Sequence, residues 1–102
     1  MVIRIVKLHF QEDKIDGFLI FFETVKHKVN EFPGCLGMKL LRDLNNPSIV
    51  MTYSHWENEP ALENYRMSQT FGEIWSTIKP WFSEKPAAWT VNEHFNGFNA
   101  SP

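Results

Sequence analysis

Over the first ten residues, apolar side chains occupy both alternating positions. Val2, Val6, Leu8 and Phe10 share one parity with Arg4, while Ile3 and Ile5 share the other with Lys7 and His9. A β-branched run of this kind predicts a strand over 2–10. An antiparallel strand with one wet face alternates apolar with polar, so apolar residues on both faces predict cover on both sides. From about Glu12 or Asp13 to Glu31 the period becomes helical. Ile15, Phe18, Leu19, Phe22, Val25 and Val29 then form one stripe, with acidic residues in the first turn, where they favour the helix dipole. Phe32-Pro33-Gly34 ends this helix, because proline disfavours helical geometry in the residue before it and glycine permits the turn.

Two further strands are predicted at 35–44 and 49–56, joined as a hairpin through Asn45-Asn46-Pro47-Ser48. A helical region from near Asn58 tolerates Pro60 in its first turn and carries Leu62, Tyr65 and Arg66. A second helical piece carries Phe71, Ile74, Trp75, Ile78, Trp81 and Phe82, and Pro80 is expected to bend or interrupt it. Beyond Lys85-Pro86, Trp89, Val91, Glu93 and Phe95 alternate with Ala88, Thr90, Asn92 and His94, which predicts a last strand over 87–95. The resulting β-α-β-β-α-β order predicts an α+β, ferredoxin-like sandwich with an antiparallel sheet. One domain over 1–95 and a frayed tail at 96–102 are expected. Helices cover one face of such a sheet. The other face, apolar at Ile3 and Ile5, predicts a homodimer closed through the sheet faces.

Composition sharpens this picture at one point. Of 102 residues, 43% are hydrophobic and 22% charged, ordinary globular usage that excludes disorder and fibrous repeats. Aromatics reach 15%, with nine Phe, four Trp and two Tyr. A chain this short buries only about two-thirds of its unfolded surface, so these rings predict a lined pocket, a shared interface, or both. The net charge is −2, with no basic block, which argues against a nucleic-acid partner. No apolar run approaches the ~20 residues of a membrane span, and the N-terminal residues lack the order of a signal peptide. A cytoplasmic protein without membrane contact is expected. The single cysteine, Cys35, excludes an intrachain disulfide and fits a reducing compartment.

Nucleotide-binding glycine motifs, HExxH and GxSxG are all missing, and Gly34-Cys35-Leu36-Gly37 matches a KH-type GXXG only as a string without basic neighbours. His9, His27, His55 and His94 show no zinc-ligand spacing, so no metal is expected. His9 and His55 fall at or near strand ends and are candidate catalytic bases. Tyr53 lies two residues from His55 on one strand face, so both are candidates to point into one cavity. Tyr65, Trp75, Trp81 and Trp89 offer wide apolar walls with one polar handle each, suited to binding a flat aromatic substrate. The structural alternative is that these rings and strand-end histidines are ordinary core and interface packing.

Four stretches, Arg4–Phe10, Phe32–Gly37, Leu41–Pro47 and above all Tyr53–Leu62, together resemble the antibiotic biosynthesis monooxygenase family. The resemblance covers roughly residues 2–92, and its strongest piece is Trp56-Glu57 followed by Ala61-Leu62. It implies a dimeric α+β barrel with a pocket between helices and sheet in each subunit. The family includes oxygenases of polycyclic phenols, quinol monooxygenases and haem degraders. The haem degraders' Asn, Trp and His set falls here on Val6, Tyr65 and Trp75, and all three depart from it. What the resemblance then implies is cofactor-independent oxygenation of a quinol or polycyclic phenol by O2. His9, His55 and Tyr53 would serve as catalytic residues, with Tyr65, Trp75, Trp81 and Trp89 around the ring. A non-catalytic small-molecule binding or stress-associated protein on the same fold is the alternative, and a sugar isomerase ranks behind it because the expected pocket is mainly aromatic.

Overall fold

The computed structural model describes residues 1–98. Its elements follow the expected order: β1 (Val2–His9), α1 (Ile15–Asn30), β2 (Cys35–Arg42), β3 (Ile49–Trp56), α2 (Glu59–Arg66), α3 (Gln69–Ile78) and β4 (Ala87–Val91), with a short 3₁₀ turn at Lys79–Trp81. The strands form one antiparallel sheet in the order β2-β3-β1-β4, and the helices pack on one of its faces, giving the α+β ferredoxin-like fold. β1 is therefore an interior strand, hydrogen-bonded on both edges.

Boundaries shift where local chemistry intervenes. β2 stops at Arg42 rather than 44, because the Asp43 carboxylate accepts the backbone N–H groups of Asn45 and Asn46 at 3.0 and 2.7 Å and pulls the chain into the turn. β4 ends at Val91 rather than 95. Its ladder pairs Val91 with Ile3, and β1 runs out one residue later, so 92–95 have no strand to pair with. Pro80 converts the end of α3 into the 3₁₀ turn, as its missing N–H requires. Residues 99–102 of the expected tail lie outside the described residues.

Alternation sorts the side chains. On the helix-covered face stand Val6, Leu8 and Phe10 of the first strand segment and Val50, Ser54 and Trp56 of β3. Two separate clusters form there. One gathers Leu8, Phe10, Ile15, Phe18, Val50 and Ile78 near the start of α1, where the Phe10 and Phe18 rings stack 4.4 Å apart. Such a pair adds about 0.5–1.5 kcal/mol beyond simple burial. The other, around Trp56, Ala61 and Leu62, joins β3 to α2. Gly34 makes that junction possible. Its φ of +89° is left-handed, a Cβ there would fall 2.5 Å from Ala61 Cβ, and its carbonyl accepts Glu57 N–H at 2.9 Å.

The opposite sheet face has no helix on it. It presents Ile5, Ile49, Met51, Tyr53, Leu41 and Trp89, with Ile3 buried between its ladder partners His55 and Val91. Among the described residues, no helix is long and apolar enough to cross a membrane.

Candidate functional site

Between the two clusters the helices and the sheet do not meet. The sheet there carries Val6, Thr52, Ser54 and Ala88, whose short side chains leave a cavity of about 780 Å³ beneath the helices. That volume accommodates a drug-sized ligand. The second half of the α1 stripe, Phe22, Val25 and Val29, lines this space, and Phe22 also packs against the first cluster.

Rings enclose it. An unbroken series of aromatic contacts runs from Trp56 to Tyr65 (stacked, 5.0 Å), Phe71 (5.3 Å), Trp75 (5.5 Å), Phe82 (5.7 Å) and Phe10 (5.2 Å), and so links the two clusters. Local sequence builds this wall. Asn58 caps α2 by accepting Ala61 N–H at 2.9 Å, which fixes the turn that carries Tyr65. Ser68 then works in two directions: its hydroxyl donates to Tyr65 O at 2.6 Å and accepts Phe71 N–H at 3.2 Å, joining the end of α2 to the start of α3. Tyr65, Phe71 and Trp75 are thereby held in one row. On the floor, Trp56 Nε1 donates to Ser54 Oγ at 2.9 Å, so the buried indole N–H is satisfied.

The electrostatics of the cavity depart from those of the chain. Its lining holds four cationic side chains, Arg4, Arg66, Lys79 and Lys85, and one carboxylate, Glu84, whereas the protein as a whole carries −2. Arg4 projects from the interior strand, and its Nη1 donates to Thr90 Oγ1 on β4 at 2.8 Å. Desolvation, and then the charge of Arg66, lower the Arg4 pKa, with Glu63 acting in the opposite sense. Arg66 itself pairs with Glu63 at 3.1 Å. Burial, with a smaller contribution from Cys35, pushes the Tyr65 phenol up to about 12, so it is a hydrogen-bond donor at neutral pH. Burial likewise pushes the Cys35 thiol up, partly offset by a hydrogen bond with the Gly37 backbone, so the sulfur is no ready nucleophile.

The residues singled out from the sequence separate into three places. Tyr65 and Trp75 line the cavity. Trp81 packs behind the first cluster, edge-on to Phe21 at 6.1 Å, and does not reach the lining. Tyr53, His55 and Trp89 stand on the other sheet face, where Tyr53 OH and His55 Nε2 lie 2.9 Å apart. The pair thus shares a strand face as expected, but on the side away from the cavity. His9 sits at the end of β1, with Nδ1 3.1 Å from Glu84 Oε2, outside the lining. Arg4, by contrast, emerges only from the structure. Its signal was a lone charge within the otherwise apolar parity of an interior strand. Among the described residues no group of three or more His, Cys, Asp or Glu side chains is placed to hold a metal ion.

A four-stranded antiparallel sheet with helices on one face and a ring-walled chamber between them defines an α+β ferredoxin-like domain. Residues 1–77 match the family model described as antibiotic biosynthesis monooxygenase, and the chain belongs to that family. Solved structures agree in fold. A candidate antibiotic biosynthesis monooxygenase from Nitrosomonas europaea superposes with a TM-score of 0.85 at 15% identity, covering 93% of this chain and 100% of that one. A conserved protein from Methanosarcina mazei Go1 gives 0.83 at 20% identity over 91% and 93%. A further antibiotic biosynthesis monooxygenase gives 0.85 at 18% over 91% and 98%. Among curated proteins none matches.

Proposed function

We propose that this protein is a monooxygenase that acts on a quinol or polycyclic phenol and draws the electrons for oxygen reduction from the substrate itself. The observation that carries this reading is the ring-walled cavity of about 780 Å³, lined by Tyr65 and Trp75 and cationic in an acidic protein, in a chain of the antibiotic biosynthesis monooxygenase family. In the proposed reaction an ionised phenol reacts with O2. One oxygen atom enters the ring, the other leaves as water, and the ring C–H and phenolic O–H hydrogens end in that water as the phenol becomes a quinone. No external reductant enters the balance.

The chamber contributes position and electrostatics. Trp75 and Phe71 clamp the ring plane, the protonated Tyr65 hydroxyl donates to a substrate oxygen, and the surplus of cations favours the phenolate over the phenol. Trp81 supports the wall from behind. Tyr53, His55, His9 and Trp89 receive no substrate contact in this proposal, because they stand away from the cavity. For the outer sheet face we propose a homodimer contact, for which its apolar residues and the family resemblance both argue.

The test is oxygen uptake by purified protein over a panel of hydroquinones and naphthols, with product identified by mass. Turnover with one oxygen atom incorporated from ¹⁸O2, reduced at least tenfold in Trp75→Ala, is expected. The absence of turnover above the buffer rate for every member overturns the reading. A second reading, a binding protein without chemistry, is favoured by one observation: among the described residues no histidine lines the cavity. Tight binding of panel members with no product formed selects it.

A further inference from the structure

A half-buried guanidinium on an interior strand, facing a cavity walled by rings, loses part of its hydration unless partners replace it. Arg4 occupies that position. Among the described residues it takes part in none of the ion pairs, and the one side-chain hydrogen bond it makes, to Thr90 Oγ1, leaves most of its five N–H donors free. The nearby carboxylate that could have neutralised it, Glu63, is committed to Arg66 at 3.1 Å. Arg66 lines the same cavity and repels Arg4. The two arginines thus line a space in which, among the described residues, the single carboxylate is Glu84, and Glu84 belongs to the other end, beside His9. Thr90 holds one edge of the Arg4 fork, and Arg4 lines the cavity.

We propose that Arg4 is the specificity-determining residue of the cavity and selects an aromatic ligand bearing a planar oxyanion, a carboxylate or an ionised phenol, over its neutral counterpart. This rests on the reading of the cavity as the ligand site and names the class of ligand that it takes. The Arg fork matches a two-oxygen anion with parallel N–H···O bonds, and the apolar walls make such bonds stronger than they are in water. The aromatic part lies against Tyr65 and Trp75, which places the anionic group at the Arg4–Arg66 end.

The experiment measures the affinity of three probes by calorimetry: 2-naphthoate, its neutral isostere naphthalene-2-carboxamide, and 1-naphthol at pH values below and above its ionisation. The wild-type protein is expected to bind naphthoate about tenfold or more tightly than the amide, the difference a charge-assisted hydrogen bond supplies. Arg4→Met is expected to abolish that preference, with a loss of naphthoate affinity at least tenfold larger than any loss of amide affinity, and Arg4→Lys to keep part of it. Arg66→Met, whose partner is already Glu63, is expected to change the preference less than threefold. The naphthol arm separates the two sources. A gain in affinity on ionisation that Arg4→Met removes assigns the phenolate, and a preference seen only with naphthoate assigns the carboxylate. Equal affinity of the wild type for naphthoate and amide overturns the proposal and leaves the cavity reading standing, as does a preference that survives in Arg4→Met. Failure of all three probes to bind overturns both.

Discussion

The Tyr65 ring stacks on Trp56 with centroids 5.0 Å apart and planes 25° from parallel, tying α2 to the floor strand of the cavity. The contact buries the phenol on one side while its ring edge meets Phe32 and Phe71. Low polarity disfavours tyrosinate, and the phenol is held up at about 12. The folded state therefore keeps this proton through a range in which the unfolded chain, near 10, has lost it. Its contribution to stability is complete below pH 10 and is lost as pH rises from about 10 to 12, by at most ~1.4 kcal/mol per pH unit. Denaturant melts across this window should fall less steeply for Tyr65→Phe than for the wild type. The difference in tyrosinate absorbance between the two proteins should titrate near 12, and a midpoint near 10 would contradict the burial argument.

A second expectation concerns glycines. Gly34 combines a left-handed φ with a Cβ position 2.5 Å from Ala61 Cβ, so Gly34→Ala meets both backbone strain and a backbone-anchored neighbour on a buried helix turn. A loss of about 2–4 kcal/mol is expected, since strained conformations alone cost ~1–3 kcal/mol. Gly72, within α3, has open space around its Cβ position and an ordinary helical backbone. Gly72→Ala should stabilise the protein by about 0.5–1 kcal/mol. Chemical denaturation of the two variants reads both signs at once. A neutral Gly34→Ala would mean that the α1–β2 turn can rebuild itself.

The order of elements, the hairpin and the split second helical arm were all legible in periodicity and turn chemistry, because each rests on local rules. Facing was not. β1 is apolar on both parities, so nothing within it tells which side meets the helices, and the choice for Tyr53 and His55 on β3 follows from the same register. Strand parity correctly put that pair together and could not say on which face. Trp89 shares this ambiguity through its pairing with Ile5. Tyr65 and Trp75 lie on helices that have only one sheet to pack on, and so their side was easier to anticipate. Arg4 was visible as an anomaly, yet its meaning depends on Thr90, Glu63 and Arg66, three residues that only the fold brings near it.

The outer sheet face supplies the last expectation. Trp89 and Val91 are 49% and 38% exposed, and Leu36 and Leu41 at the far edge are 56% and 48% exposed, so apolar side chains reach across the sheet from β4 to β2. Isolated exposed apolar residues are unremarkable, and Ile20 on α1, 71% exposed, is such a case. A set spread over one sheet face, interrupted only by charged side chains such as Lys7 and Lys39, is different, because a stable contact needs about 800 Å² per partner and a four-stranded sheet offers an area of that order. An isologous contact would pair each copy's face with itself, so one substitution acts twice. Trp89→Glu should therefore convert a dimer to a monomer in sedimentation equilibrium at micromolar concentration, while Ile20→Glu leaves assembly unchanged. The far-ultraviolet circular dichroism of both should match the wild type. A wild-type protein that sediments as a monomer at that concentration would mean that this face is covered in some other way.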